Sequence, residues 1–315
     1  MGPIAHRAAH PPSGTPCACP PPETLADRAD GTVVRSGPVV AKAHAPGAPA
    51  AELLARLALA GHPRLTGILL APLRPRPVAP PAALHDRLVT LWPHGEPVDP
   101  GDPDAAPWTE AAALLAALHR TPPPASLALP PMRGPAKTAL AVARMRAARP
   151  GDPATAPVLA AWRRLPAWAR DEAAPPARRS RFLCHGDLHL GQLVRHPAPH
   201  GPWLLIDVDD AGTGDPAWDL ARPAAWYAAG LLPPDVWPRF LDAYRAAGGP
   251  AVPAEGDPWA ALDVPARALT VQTAALALAK SAAEGRTPDE AERTVIDACA
   301  RIAALPPEST DEEAT

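Results

Sequence analysis

The stretch FLCHGDLHLGQLVRH, residues 182–196, carries the pattern on which the fold assignment depends. A second acidic stretch follows it, WLLIDVDDAGTGDPAWDLA, residues 203–221. Asp187 lies at the turn of the first stretch, where Gly186 allows the backbone to bend tightly. Asp207 closes the apolar run WLLI. Because a carboxylate at the end of a buried strand is costly to desolvate without a partner, the sequence predicts a cation beside it.

These residues match the parts that phosphoryl transfer from a nucleotide requires. The reaction needs a group that orients the attacking hydroxyl, oxygen ligands for magnesium and a cation on the phosphates. Asp187 fits the first role, and Asp207 and the amide of Gln192 fit magnesium. Lys42 lies in the apolar strand VVAKAH, and Glu52 opens the next helix. A strand lysine paired with a helix glutamate binds nucleotide phosphates in protein kinases.

Local patterns predict the secondary structure around these residues. Two β-branched runs around Ser36 and Gly37 predict a hairpin. The segment APAAELLARLALAG, residues 48–61, has helical periodicity, and the helix is expected to end at Gly61. The runs LTGILL and DRLVTLW predict two further strands, and RFLC, QLVRH and WLLIDV predict short strands around the acidic stretches. Most of the remaining chain predicts amphipathic helices, one of them broken near Pro166.

This order of elements predicts an α+β chain with two lobes. We expect a small, β-rich, nucleotide-binding N-lobe at residues 23–92 and a hinge at residues 93–99. A larger, mostly helical C-lobe at residues 100–305 is expected to carry catalysis and acceptor binding. Residues 1–22 and 306–315 are expected to be disordered tails, because the first is rich in proline and the second is polar.

HGDLHLGQ followed by LLIDVDDAGTGDPAWDLA resembles the aminoglycoside phosphotransferase and choline kinase-like small-molecule kinases. In that family HGDxxxxN precedes IDxxDxxxGDPxxDLA, and the loop HGDLHLGQ is similar to the maltokinase-like branch. The resemblance covers roughly residues 23–305 and implies the bilobal, protein-kinase-like fold. It implies that Asp187 is the catalytic aspartate and that Asp207 binds magnesium. Gln192 stands where most of the family has asparagine.

The same resemblance implies roles for residues outside the two motifs. Lys42 matches the lysine that binds the nucleotide phosphates, and Glu52 matches its partner. Asp219 matches the buried aspartate that supports the catalytic loop, and we expect His185 to support the same loop as a packed histidine. Nucleotide contacts at the hinge side, mainly through the backbone, are expected from Thr90, Leu91 and Trp92.

Composition narrows the cofactors and partners. The expected cofactors are ATP or GTP and Mg²⁺, and the expected partner is a small molecule that bears a hydroxyl group. A formal net charge of −3 gives no reason to expect nucleic acid. The chain contains no apolar run long enough to cross a bilayer, and its first residues lack the apolar centre of a secretory signal. A cytoplasmic protein without a membrane partner is therefore expected.

Two other functions remain open at this stage. A nucleotide-binding pseudokinase with a regulatory role is suggested by Gln192 and by the segment ADRADGTVVR, in which Gly31 is the single glycine. A metal-dependent hydrolase is suggested by His185, Asp187 and His189, since HxDxH is a metal-binding pattern.

The second alternative leaves Lys42 and Glu52 without a role. Asp209 and Asp210 are interpreted as a solvated acidic pair, with contact to magnesium or to a cationic substrate as the other possibility.

Overall fold

The computed structural model describes residues 1–10, 20–28, 31–74, 76–77, 86–176 and 181–306. The α-helices of this part of the chain are α1 Gly2–Ala9, α2 Ala50–Ala60, α3 Trp108–Arg120, α4 Gly134–Ala148, α5 Ala156–Arg164, α6 Ala217–Ala229, α7 Val236–Ala246, α8 Trp259–Ala283 and α9 Glu290–Ala304. The strands are β1 Glu23–Arg28, β2 Gly31–Ser36, β3 Val39–Ala43, β4 Val89–Pro93, β5 Glu96–Pro97, β6 Phe182–Cys184, β7 Leu193–Arg195, β8 Trp203–Leu205 and β9 Gly212–Gly214.

The chain forms two compact units. The first contains Met1–Met132, Arg181–Gly214 and Phe240–Pro250, and the second contains Arg133–Ser180, Asp215–Arg239 and Ala251–Thr315. All of the strands named above belong to the first unit, and the described part of the second unit is helical. The predicted α+β class is confirmed. The predicted lobe and hinge boundaries stay predictions.

An antiparallel sheet in the order β1-β2-β3-β4 forms the core of the first unit. Lys42 on β3 lies opposite Val33 on β2 and opposite Thr90 on β4. Because successive side chains of a strand point to opposite faces, Val40 and Lys42 share one face of β3 and Ala41 lies on the other. The second face packs against α1 in a cluster of Ile4, Ala5, Val39, Ala41, Ala43, Val89 and Leu91.

Helix α1 corrects the expectation of a disordered tail at residues 1–22. Residues 2–9 form an α-helix, in which Ile4 and Ala5 are buried. The prediction was wrong there because the helix is stabilised by apolar contacts with a sheet that is distant in sequence, and local composition does not report such contacts. Residues 11–19 and the predicted tail at 307–315 lie outside the described residues.

Two small sheets carry the acidic stretches. Strands β5, β7 and β8 form a three-stranded sheet, and β6 pairs with β9. The strand predicted for LTGILL is wrong: Leu65 ends a 3₁₀ helix, residues 66–68 form a turn, and Leu69 makes a single bridge, to Leu205. Strands β1 and β9 were not expected, since neither ETLADR nor GTG alternates apolar and polar residues.

The second unit is built from the predicted amphipathic helices. Helix α5 ends at Arg164 and a separate 3₁₀ turn begins after Pro166, so the predicted break is confirmed. Helix α9 begins with a capping box, in which Asp289 accepts a hydrogen bond from the N–H of Glu292 and the Glu292 side chain accepts one from Asp289. None of the helices in the described part of the chain combines the length and the apolar character that a bilayer crossing requires.

Candidate active site

A cavity of about 380 Å³ lies in the first unit, against the face of the sheet that carries Lys42. Its size falls within the range of small-molecule binding sites, roughly 300–1,000 Å³. The sheet and the β7–β8 region supply its apolar walls, which consist of Leu25, Val33, Val40, Leu70, Val194 and Ile206. The segment from Trp92 to Pro97 forms one edge, and Lys42, Asp207 and Asp209 form a charged end.

One glycine allows the edge segment to approach the wall. A Cβ atom added to Gly95 would lie 2.5 Å from Val194 Cγ2, far inside ordinary contact distance. Since β5 pairs with β7 directly after Gly95, the absence of a side chain lets the segment run close to the wall of the cavity.

The charged end of the cavity is an ion-pair cluster around Lys42. Its ammonium lies 2.5 Å from Asp207 Oδ1 and 3.0 Å from Asp209 Oδ2. The turn from Val208 to Asp210 follows Asp207, which has a φ of 61° in the left-handed region. The Asp207 carboxylate also accepts a hydrogen bond from the N–H of Asp209. A strand and a tight acidic turn therefore place one ammonium between two carboxylates.

Burial and charge act in opposite directions on this cluster. Burial alone would lower the pKa of Lys42, but the charges of Asp207 and Asp209 outweigh it and hold that pKa above its ordinary value. Burial alone would raise the pKa of Asp209, but the charge of Lys42 and the contact with His44 hold that pKa well below its ordinary value. Lys42 and Asp209 are consequently both charged at neutral pH.

A hydrogen-bonded chain connects the wall of the cavity to the acidic turn. His44 Nδ1 lies 2.9 Å from Asp209 Oδ2, and its Nε2 lies 2.8 Å from Thr90 Oγ1. The indole N–H of Trp92, a residue that lines the cavity, donates to the same Thr90 hydroxyl at 2.8 Å. Asp209 is therefore bound by a lysine and a histidine of the same strand segment, and the interpretation of Asp209 as a solvated residue is wrong.

The HGDLHLGQ loop contacts the segment from Ile206 to Asp210 at three points. His185 is fully buried, and its Nε2 donates to the carbonyl of Ile206 at 2.7 Å. The N–H of Ile206 donates to the carbonyl of Gln192 at 2.9 Å. Gly186 has a φ of 84°, and a Cβ atom there would lie 2.2 Å from the Asp210 carbonyl oxygen. These contacts bring the segment that carries Asp187 against the turn that begins at Asp207.

The histidines of this loop make structural hydrogen bonds. His185 bonds the Ile206 carbonyl, and His189 Nδ1 accepts from the N–H of Gly191 at 3.1 Å. One ring nitrogen of each histidine is therefore used within the loop and its neighbouring segment. This arrangement gives no support to the hydrolase hypothesis, in which both rings would bind a metal with Asp187.

The structure does not pair Lys42 with Glu52. The Glu52 side chain is 44% exposed and lies 3.1 Å from Arg56, one helical turn away on α2. Arg56 is only 4% exposed, and its Nε donates to the carbonyl of Ala211 at 2.9 Å. Sequence reasoning missed Arg56, because the helical pattern does not distinguish a buried arginine beside Leu57 from one that faces solvent.

The other predicted site residues lie in different surroundings. Thr90 and Trp92 share the cavity face of β4, whereas the Leu91 side chain lies on the opposite face, packed in the cluster with α1. A side-chain contact from Leu91 to a ligand in the cavity is therefore ruled out. Gln192 is buried beside the start of β7. Asp219 is buried in the first turn of α6, in the second unit, and its support of the loop stays a prediction.

The contact between His44 and Asp209 also escaped sequence reasoning, although a signal for it exists. Lys42 and His44 are two residues apart at the end of a strand, so both point to one face. Asp207 and Asp209 are also two residues apart. Lys42 and His44 therefore have the same spacing as Asp207 and Asp209. Once the two segments are known to be adjacent, this equal spacing indicates that the two basic side chains contact the two carboxylates.

The sequence model of APH, described as a phosphotransferase enzyme family, matches residues 27–262. The chain belongs to this family. It is therefore a small-molecule phosphotransferase, and the resemblance stated from the two motifs is confirmed. The matched region includes strands β2 to β4, with Lys42, and both acidic stretches of the APH-family chain. Among curated proteins, the sequence matches no relative.

Solved structures confirm the kinase-like fold of this APH-family chain. Spectinomycin phosphotransferase APH(9)-Ia, in complex with ADP and spectinomycin, is 13% identical, with a TM-score of 0.56 over 90% of this chain and 92% of that one. A thermostable mutant of the aminoglycoside phosphotransferase APH(4)-Ia, in a ternary complex with AMP-PNP and hygromycin B, is 15% identical, with a TM-score of 0.56 over 91% and 95%. A choline/ethanolamine kinase family protein from Mesorhizobium loti is 17% identical, with a TM-score of 0.51 over 91% and 89%.

Proposed function

We propose that this phosphotransferase moves the γ-phosphoryl group of ATP to a hydroxyl group of a small molecule, in a magnesium-dependent reaction. The observation that carries the proposal is the contact of Lys42 with Asp207 at the charged end of an apolar cavity. The walls of the cavity suit a planar base, and its charged end suits phosphates. An adenine nucleotide is preferred over GTP, because two similar structures hold ADP or AMP-PNP.

Two side chains fit a magnesium ion by their donor chemistry. Asp207 offers a carboxylate and Gln192 an amide oxygen, and magnesium prefers oxygen ligands while it keeps several waters. The hydrogen bond from the Ile206 N–H to the Gln192 carbonyl brings the segments that carry Asp207 and Gln192 together. When bound there, magnesium would neutralise charge on the phosphate oxygens.

The residues of the chain would act through position and charge. Asp187 would accept a hydrogen bond from the acceptor hydroxyl, align its oxygen with the γ-phosphorus and take its proton. A bond then forms between that oxygen and phosphorus while the bond to the β–γ bridging oxygen breaks, and ADP leaves. Lys42 would donate hydrogen bonds to phosphate oxygens throughout. Most of the acceleration is expected from alignment and electrostatics, as is usual for phosphoryl transfer.

The acceptor is proposed only as a class, a small molecule with a free hydroxyl group. To test the function, the purified protein would be incubated with ATP, Mg²⁺ and a library of sugars, amino alcohols and aminoglycosides. ADP release would be measured together with the mass of the phosphorylated product. Turnover with one acceptor class is the expected result. Nucleotide binding without turnover on any acceptor would favour the pseudokinase alternative.

The assignment of Asp187 has its own variant test. Asp187→Asn keeps the size of the side chain but removes the proton acceptor, so kcat should fall at least about hundredfold, the lower range for loss of a general base. Asp235→Asn is a matched control, since Asp235 is an exposed aspartate paired with Arg239 one turn later on the surface. Retention of full kcat by Asp187→Asn would refute the role assigned to Asp187.

A further inference from the structure

His44 is buried and hydrogen-bonded at both ring nitrogens. Its exposed fraction is 2%, and it lies between Asp209 and Thr90. Because an ionised carboxylate only accepts, Nδ1–H donates to Asp209, while Nε2 shares a hydrogen bond with the Thr90 hydroxyl, to which the Trp92 N–H also donates. The ring is thus held in an orientation that serves Asp209.

Asp209 shares Lys42 with Asp207. The Lys42 ammonium lies 3.0 Å from Asp209 and 2.5 Å from Asp207. A phosphate that binds Lys42 competes with these carboxylates for its three N–H donors. A largely buried carboxylate that loses its cation is strongly destabilised unless another donor remains beside it. His44 is the donor that is positioned to remain at Asp209.

We propose that His44 is a positioning residue that keeps Asp209 bound when Lys42 turns to the nucleotide phosphates. Without His44, Asp209 has Lys42 as its compensating charge and competes with the phosphates for it. His44 itself does not touch the nucleotide, and it acts through Asp209 and Lys42. The inference rests on the proposed function, because it presupposes that a nucleotide occupies the cavity.

The test measures ADP affinity by titration calorimetry, in EDTA and again with Mg²⁺, so that no turnover is needed. His44→Phe keeps an aromatic ring at this position but removes its hydrogen-bond donor. The variant protein should bind ADP at least about tenfold more weakly than wild type, as expected for loss of a hydrogen bond to a charged group. His44→Asn places an amide N–H near the position of Nδ1 and should recover most of the affinity. His119→Phe is the matched control, because His119 is also buried and bonded, to the Tyr244 hydroxyl.

A double-mutant cycle separates this role from a merely structural one. In an Asp209→Asn background the carboxylate that His44 binds is absent, so His44→Phe should change ADP affinity by less than about twofold, since the coupling is removed with its partner. An equal loss in both backgrounds would overturn the inference. If His44→Phe does not fold, His44→Gln replaces it in the test. The amide of the longer glutamine side chain does not reach the position of Nδ1, so the His44→Gln protein should also bind ADP weakly. Equal affinity of His44→Gln and His44→Asn would then overturn the inference.

The outcomes distinguish the inference from the proposed function. Wild-type protein that binds ADP while His44→Phe binds it equally well would refute the inference alone. Wild-type protein that binds no adenine nucleotide would refute the proposed nucleotide site, and the inference would fall with it.

Discussion

The ammonium of Lys42 lies 2.5 Å from Asp207 Oδ1, although 165 residues separate the two in the chain. The contact brings a strand of the four-stranded sheet to the turn that follows β8. It also places the cation and the carboxylate at the same end of the apolar cavity. In the proposed function, this juxtaposition lets one site neutralise phosphates and hold a metal.

Removal of the Lys42 charge tests this arrangement. Lys42→Met should weaken ADP binding at least about tenfold, because a charge-assisted contact with phosphate is lost. Calorimetry with ADP measures the effect. Lys280→Met is a suitable control, since Lys280 lies in the last turn of α8 in the second unit. Equal loss in both variants would contradict the assignment of Lys42.

The lowered pKa of Asp209 predicts how stability depends on pH. Its ionised form stabilises the folded state, so the contribution is complete above about pH 4, the ordinary range of aspartate, and is lost as pH falls through the lower folded-state pKa. The raised pKa of Lys42 makes its contribution complete below about pH 10, so the lysine stays charged across the neutral range. Wild type should therefore exceed Asp209→Asn in free energy of unfolding at pH 7, and the difference should shrink below about pH 4.

Urea denaturation at a series of pH values checks this prediction. Asp235→Asn serves as the exposed control, for which little difference from wild type is expected at any pH. A constant gap between wild type and Asp209→Asn from pH 7 to pH 3 would show that ionised Asp209 does not stabilise the fold.

Gly186 should tolerate no side chain. Gly186→Ala combines a left-handed φ of 84° with a Cβ position 2.2 Å from the Asp210 carbonyl oxygen. Gly67 has a similar φ of 81°, but nothing lies within 4 Å of its Cβ position. Gly67→Ala should cost about 1 kcal/mol of folding free energy, from backbone conformation alone. Gly186→Ala should cost more and should also lower kcat, because the loop must move away from the acidic turn. Thermal unfolding and steady-state kinetics measure the two effects, and equal costs would exclude the steric account.

The contact between Arg56 and Ala211 predicts that Arg56 contributes more to stability than Glu52, the residue of α2 to which the sequence assigned a role. Arg56→Met leaves a buried carbonyl next to the acidic turn without its donor, so it should destabilise the fold by about 2 kcal/mol. Glu52→Gln removes an exposed partner of Arg56 and should cost less than about 1 kcal/mol. Denaturation and ADP affinity of both variants are the measurements. If Glu52→Gln weakened ADP binding as much as Lys42→Met, the Lys42–Glu52 pairing expected from sequence would form in the working enzyme.

Short motifs could be interpreted from sequence because the chemistry they encode is local. A glycine before Asp187 and an apolar run before Asp207 already indicate a tight loop and a strand end. The helices of the second unit could also be predicted from sequence, since hydrophobic periodicity and the helix-breaking effect of Pro166 depend on residues close together in the chain. The strand predicted around residues 65–70 failed, because an apolar run of that length does not distinguish a strand from packed turns.

The sequence by itself determined the family, the α+β class and the identity of the acidic and cationic groups, because each rests on residue types at fixed local spacing. Only the tertiary structure decided which partners those groups have. Lys42 meets Asp209 rather than Glu52, and His44 joins them. Helix α1 covers a sheet instead of forming part of a free tail. Such pairings depend on contacts between segments that are far apart in the chain, and a local sequence pattern does not report those contacts.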